Sequence, residues 1–519
     1  MSPANCLTAD IFLFLSFNFN QLPKHFLPCS VVLANIQCME ILQQYFTAAR
    51  KVTKEFNDEP LPVVQGEIPP KLEGTLFRNG NGRFEHQGVW YNHLFDGDGM
   101  VCAFTFANGQ VRYRNRYVRT QEFVREEAAG KMLYRSFGTN IPGGIWTNFL
   151  KMRFKNAANT SVIWHGGKLL ALWEGGLPHE LDPATLETIE RYDYDGVLQN
   201  DFSWLDHQIT PELPFSAHPK LHPDTQVLHN FGTAPGTKQR LLLYEVQPNG
   251  RARISQSIEI PEVIFTHDFI LTKSGYKIFF LTPVSFELWK AFVGLESPVD
   301  SIRVHKDQPT KVLVVTPNGQ VENYTTEFGF VFHYINGFEI DRENLAIDAL
   351  MMPDFPNAGG IQRFVNGEQT DTPQASVVRY VINRQKKTVE RTQITDFQAE
   401  LPSIHPEYTG KHYQYAWTIG RSPAQASPLL DDVIKIDVQN GKALATGWQN
   451  SLPSEPIMVP RPGARAEDDG WLLYLIFDHE AKATKLIVAD AKSLKILAQA
   501  PLPHHIPLGF HGSWVPQVF

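Results

Sequence analysis

The chain has 519 residues, with 47 Lys and Arg against 55 Asp and Glu, a formal net charge of −8. That near balance excludes a dedicated nucleic-acid binder, which carries a basic excess, and 43% hydrophobic with 20% charged residues excludes a disordered chain. Cys6, Cys29 and Cys38 precede Met39 and Cys102 stands alone after it, so the body has neither a disulfide framework nor a cysteine metal site and suits a reducing cytoplasm.

Residues 11–19 (IFLFLSFNF) are apolar but too short to span a bilayer, and no Lys or Arg precedes them, which makes a poor signal peptide. From Met39 the pattern changes. Leu42, Tyr45, Phe46, Ala49, Val52 and Phe56 fall at helical spacing and predict a helix over 39–56. Residues 1–38 are therefore read as a dispensable N-terminal extension and 39–519 as one domain. After Pro60 the text is almost all strand and turn. Asn-Gly, which suits the positive-φ positions of tight hairpins, begins at Asn79, Asn81, Asn108, Asn249, Asn318, Asn336, Asn366 and Asn440. Strands are predicted at 101–106 and 111–117 around Asn108, and at 433–438 and 443–448 around Asn440. Others are expected at 168–173, 241–246, 276–281, 311–316, 376–383, 388–394 and 471–477. The second helical pattern is 121–133. Some 450 residues of antiparallel meander point to an all-β propeller or a large barrel, although no clean repeat of 40–50 residues is visible.

The 18 histidines form no local metal motif. His218, His267, His333 and His511 stand apart by context: each lies in an apolar or small-residue stretch (PFSAHPK, IFTHDFI, GFVFHYINGFE, LGFHGSWV). Buried imidazoles need partners, and four of them converging on a propeller axis would make a nitrogen-rich site for Fe, Zn, Cu or Ni. Spacing alone does not bring them together. Glu174, Glu400 and Glu455 lie in similarly apolar runs. They are either loop carboxylates or acceptors of the Nδ1–H of a ligand histidine, which would present Nε2 to a metal. The 35 Phe serve as core or as the lining of a long apolar ligand site. In 133–154, Ile141, Ile145, Trp146, Phe149, Leu150, Met152 and Phe154 form either a buried insertion or an apolar patch that dips into a membrane. Phe286, Leu288, Trp289 and Phe292 form a second such insertion beside the same entrance.

Taken together, GTLFRNGNGRFE (74–85), LFDGDGMV (94–101), NAANTSV (156–162), LLALWEGGLPHEL (169–181), SAHPK (216–220), THDF (266–269), FVFHYINGFE (330–339), SEPIMVPRPG (454–463), EDDGWLLYLIF (467–477) and HHIPLGFHGSW (504–514) resemble the carotenoid cleavage oxygenase family over about residues 60–519. Within it the text is most similar to the cyanobacterial apocarotenoid oxygenases. The resemblance implies a seven-bladed β-propeller, with short helical insertions forming a dome over an axial Fe(II), one per chain, and O₂ as co-substrate. It implies His218, His267, His333 and His511 as iron ligands, with Glu174, Glu400 and Glu455 supporting His267, His333 and His511. Thr160 matches the residue whose methyl crowds an open iron position. It favours the membrane reading for Ile145, Trp146, Phe149, Leu150, Phe286 and Trp289, hence a cytoplasmic, peripherally membrane-associated enzyme acting on an apolar carotenoid or apocarotenoid. The expected reaction is oxidative scission of a polyene double bond at 15,15′, giving retinal from an apocarotenal. The alternatives are 9,10 (9′,10′) cleavage of intact carotenoids, or a non-oxygenative isomerase or stilbene-cleaving relative on the same fold. Asn81 departs from the family pattern, which usually has Pro there.

Overall fold

Alternating apolar residues and tight turns build the chain into antiparallel sheets, most of them of four to seven strands. The computed structural model describes residues 29–48, 50–151, 153–260, 265–356, 374–423, 429–448, 451–507 and 509–519. The second to fourth sheets are consecutive in sequence. Ser161–His165, Lys168–Leu172, His179–Leu181 and Thr188–Arg191 make one. Lys220–Leu221, Leu228–Ala234, Gln239–Val246 and Ala252–Ile260 make the next. Ile270–Leu271, Lys277–Leu281, Thr310–Val315 and Val321–Thr326 make the third of these. A seven-stranded sheet follows, from Phe330–Glu339 to Ala443–Ala445. Its long strand Thr388–Ile404 pairs with Ser376–Asn383 as far as Gln398 and with Tyr415–Arg421 from Gln398 onward. It therefore leaves one blade and enters another, and the sheet is two blades. The sheet built on Gly470–Asp478 is the next blade.

The remaining blade closes the ring. Gly512–Val515 pairs with Gly74–Asn81 in the register Thr75↔Val515 to Arg78↔Gly512, joined by Gly99–Ala107, Gln110–Tyr117 and Phe56–Pro60. The result is a seven-bladed β-propeller. Its core lies between neighbouring blades, where sheet faces meet. Phe77, Val101 and Ala103 of one blade pack on Val162, Leu169 and Ala171 of the next. Leu170 and Leu172 pack toward Phe215, Leu242 and Tyr244, and Phe231 and Leu243 toward Phe279 and Leu313.

The helices differ in extent from the sequence pattern. Helix α1 runs Cys29–Ala48, so it crosses Met39 and stops short of residue 56. Ile41, Tyr45 and Phe46 are buried on it, whereas Val52 bonds to Gly82 O at 2.8 Å outside any helix and Phe56 begins a strand. Both are apolar because a sheet buries them; the helical spacing was coincidental there. Helix α2 is Gln121–Ala129, capped by Thr120 and ended by Gly130 at φ 60°, four residues before the expected 133. Helices α3 (Ile145–Asn148), α4 (Trp204–Ile209) and α5 (Leu288–Phe292) are short.

Asn-Gly divides into two uses. At Asn108-Gly109, Asn249-Gly250, Asn318-Gly319 and Asn440-Gly441 the glycine has positive φ in a turn between strands. Asn79, Asn81 and Asn336 instead lie inside buried strands. Their amides bond carbonyls in neighbouring segments: Asn79 to Ala158 and Ser161, Asn81 to Leu94, Asn336 to Tyr408 and Lys411. Asn81 also accepts from Asn159 Nδ2 at 2.9 Å, so this departure from the family pattern is tied into the strand's surroundings. Asn366-Gly367 and Met152 lie outside the described residues. No helix among the described residues is long and apolar enough to cross a membrane.

Strand direction sorts the connections between the two ends of the propeller. The four Asn-Gly turns lie at one end. The segments 82–98, 118–160, 192–217 and 282–309, which carry α2 to α5, lie at the end from which the inner strands start.

Candidate metal centre

Each blade brings one residue to the axis, at or near the start of its innermost strand. Thr160 precedes Ser161–His165, His218 precedes Lys220–Leu221, His267 precedes Ile270–Leu271, His333 lies in Phe330–Glu339, Glu400 in Thr388–Ile404, Glu455 precedes Ile457–Pro460 and His511 precedes Gly512–Val515. Chain-distant residues meet because equivalent positions of seven blades point at one axis. Glu174 comes from the loop after the second strand of Thr160's blade.

The four histidines are buried, and one ring nitrogen from each lies within 4.8 Å of all the others. Nε2 of His218 and His267 are 2.8 Å apart, and Nε2 of His333 and His511 are 3.2 Å apart. The outward nitrogens meet carboxylates. His333 Nδ1 is 2.5 Å from Glu400 Oε2, His511 Nδ1 is 2.9 Å from Glu455 Oε1, and His267 Nδ1 meets Glu174 Oε1. An Nδ1–H donated outward leaves Nε2 with a bare lone pair directed inward. Lone pairs facing each other at these separations suit a cation between them, and an all-imidazole set suits a borderline transition metal. The residues therefore fit a single metal ion.

Electrostatics sets the charge of the donors, and differently for each. Burial, reinforced by the other three imidazoles, holds His218 well below the usual histidine range. Burial also lowers His511, against the pull of Glu455. In His333 burial is the largest influence and acts downward, but the charge and hydrogen bond of Glu400, with Asp268 and Glu455, together outweigh it and the ring is raised. Glu455, although burial opposes its charge, is lowered by His511 and Arg78. Arg78 donates from Nη1 to Glu455 O at 2.9 Å and to Oε2 at 3.1 Å, and Gly512 N donates to the same Oε2 at 2.9 Å. A buried carboxylate is retained because it is paired and fully hydrogen-bonded. Glu400 accepts from Leu401 N at 3.0 Å, and Leu401 sits at φ 52° where the register shifts between Glu400 and Ser403. That bulge turns the Glu400 side chain to the axis. Thr160 is on the same ring of residues. Its carbonyl accepts from His511 N at 3.2 Å and its Oγ1 donates to Asn159 Oδ1 at 3.1 Å.

Aromatic rings lead away from the centre. Phe332 stands edge-on to His267 at 5.1 Å and meets Phe95 at 6.1 Å and Phe330 at 4.7 Å. Phe330 meets Phe355, which packs with Phe265 and, like Phe286, lies against the cluster of Val284, Val299 and Ile302. Arg78 and this row were missed in the sequence. Phe330 and Phe332 lie just before His333 in FVFHY, which was the one available signal. The row ends beside the two insertions. Phe286 is half-buried, while Trp146 is 86%, Leu150 64% and Trp289 60% exposed, and Ile145, Phe149 and Phe292 are also exposed. Leu150 N donates to Phe292 O at 2.9 Å, joining α3 and α5 into one apolar patch.

The family model of the retinal pigment epithelial membrane protein, RPE65, matches residues 49–516. The apocarotenoid-15,15′-oxygenase of Synechocystis is 34% identical over 465 residues, covering 87% of this chain and 92% of that protein. The β,β-carotene 15,15′-dioxygenase of Gallus gallus is 26% identical over 527 residues, covering 89% and 97%. The crystal structure of cobalt-substituted Synechocystis ACO superposes with a TM-score of 0.84 at 32% identity, covering 91% of this chain and 98% of that one. With its propeller, its four-histidine centre and these matches along nearly the whole chain, the protein belongs to the carotenoid cleavage oxygenase family.

Proposed function

We propose that the chain is a non-haem Fe(II) dioxygenase that cleaves a polyene double bond of an apocarotenoid, at 15,15′, to two carbonyl products of which one is retinal. The observation that carries this reading is the convergence of four buried imidazole nitrogens at the inner end of an aromatic row. The Synechocystis relative supports the substrate class and the bond. Iron held by His218, His267, His333 and His511 would supply the O₂-dependent redox chemistry. The chain's residues do the rest. Glu174, Glu400 and Glu455 hold three imidazoles in the tautomer that faces the metal. Thr160, beside His511 on the same ring of residues, has a methyl that would narrow the approach to the iron, and Phe332 and its neighbours hold a rigid polyene in register and keep water out. Ile145, Trp146, Phe149, Leu150 and Trp289 take up a lipid-dissolved substrate at a membrane surface. Residues 1–38 are dispensable to this centre, so their deletion should leave iron content and turnover unchanged.

Product analysis tests the reaction. The iron-loaded protein, incubated with an apocarotenal and with an intact bicyclic carotenoid, is expected to release retinal from the first in an O₂-dependent manner. An ionone-type ketone from the second, without retinal from the first, would replace 15,15′ by 9,10 cleavage. Product formation that is independent of O₂ would remove the oxygenase assignment.

A further inference from the structure

Polar contacts fix α4 in the segment between the second and third blades and leave Phe202, Trp204 and Leu205 outside. Ser203 Oγ caps α4 by accepting from Asp206 N at 3.0 Å. Asp206 is buried and accepts from Thr237 N at 2.6 Å, Thr237 Oγ1 at 2.9 Å and Arg240 Nη1 at 3.3 Å. Thr210 Oγ1 donates to Pro235 O at 3.0 Å. These bonds hold α4 to the turn at 235–238 through its polar side. On its outer side Trp204 is 77%, Leu205 48% and Phe202 40% exposed, with the Arg240 guanidinium 4.6 Å over the Phe202 ring. An ordinary surface helix turns its apolar residues to the core; α4 is inverted, and an exposed apolar cluster of this kind marks a contact surface.

Topology says what that surface faces. The turn at 235–238 and the insertion at 282–309 each join the second and third strands of their blades, and both blades start their inner strands at the metal centre. Helix α4 therefore shares one end of the propeller with α3 and α5. We propose that α4 is a second lipid contact: Phe202, Trp204 and Leu205 enter the headgroup region of the same bilayer that the α3–α5 patch meets. An indole with an apolar body and a polar N–H suits that boundary, and the exposed Lys238 of the adjoining turn, paired with Glu259 at 2.7 Å, lies beside it. The proposal rests on the membrane reading above and adds a second point of attachment on a different blade. One patch lets the propeller rock; two set its tilt and strengthen attachment by avidity.

The test uses the full chain and phosphatidylcholine–phosphatidylglycerol vesicles, with metal content and turnover of detergent-dispersed substrate measured alongside. W204Q/L205Q is expected to bind about 10-fold more weakly, with metal content and detergent turnover unchanged. W146E/F149E is expected to lose most of its binding. W204F, which keeps the apolar ring, is expected to bind like the wild type and to show less quenching by acyl-brominated lipid. Wild-type binding by W204Q/L205Q together with release of W146E/F149E would overturn the α4 contact and leave the α3–α5 reading standing. Wild-type binding by both would overturn both. A lipid-free wild-type dimer that W204Q/L205Q converts to monomer would assign the face to a second copy of the chain and overturn the lipid contact.

Discussion

The two ends of the propeller are made by different means. At one end Asn108-Gly109, Asn249-Gly250, Asn318-Gly319 and Asn440-Gly441 reverse the chain in a few residues and carry no chemistry. At the other end four connections, 82–98, 118–160, 192–217 and 282–309, are long, hold α2 to α5, and surround the ring of residues that begins the inner strands. A tight turn fixes register but has no room for a site; a long connection costs little extra closure entropy and can carry one. The difference teaches that the hairpin end stabilises blades while the other end distributes function over them.

Substitutions at the two ends should separate those roles. The largest effect is expected at His218, whose ring meets no carboxylate among the described residues. His218→Ala should empty the centre and abolish turnover, read by metal analysis and product formation, with the fold retained by circular dichroism. Full metal content in that variant would remove His218 from the ligand set. Glu400→Gln keeps the shape but loses the charge that raises His333, and should lower metal retention or turnover roughly 10–100-fold. At the hairpin end, Gly441 has φ 73° and a Cβ there would stand 2.2 Å from Ile394 O. Gly441→Ala should cost about 1–3 kcal/mol in denaturant melts with metal content unchanged. Loss of metal there would show that the two ends are coupled.

The smallest effect is a pH slope. Burial pushes Asp96 up to about 7, against hydrogen bonds from Thr139 and Gly138. Its folded pKa lies above its unfolded one, so the folded state holds this proton more tightly. The stability it contributes is fully present below about pH 4 and is lost as pH rises toward 7. Asp96→Asn should flatten the wild-type slope between those values, measured as melts across pH; an unchanged slope would place its origin elsewhere.

Much of the hairpin end was legible in the sequence, because a positive-φ turn leaves a local mark. Ser376–Asn383 was placed to the residue. The same dipeptide misleads at Asn79, Asn81 and Asn336, where the amide is needed by a distant carbonyl that no local pattern encodes. The helix expected over 39–56 failed at its far end for a related reason: Val52 and Phe56 are apolar for a sheet, not for a helix. The four histidines stood apart by context in the sequence, but that they meet was legible only through resemblance. Their equivalence, one per blade, is hidden in sequence because insertions such as 282–309 make the blades unequal in length. The α3 and α5 patches could be noticed by composition, but not that Leu150 bonds to Phe292 across them. Helix α4 escaped altogether, since its polar face turns inward.

Because His511 lies beside the strand that pairs with Gly74–Asn81, the residue that completes the metal set and the strand that shuts the ring arrive together. No excised run of blades can carry the centre, and no blade can be duplicated or lost without pulling the histidines out of alignment. A metal bound there would thus report on the whole circle: its retention would measure how much of the population has closed, and a change in any blade that opens the ring should register there before it registers in secondary structure.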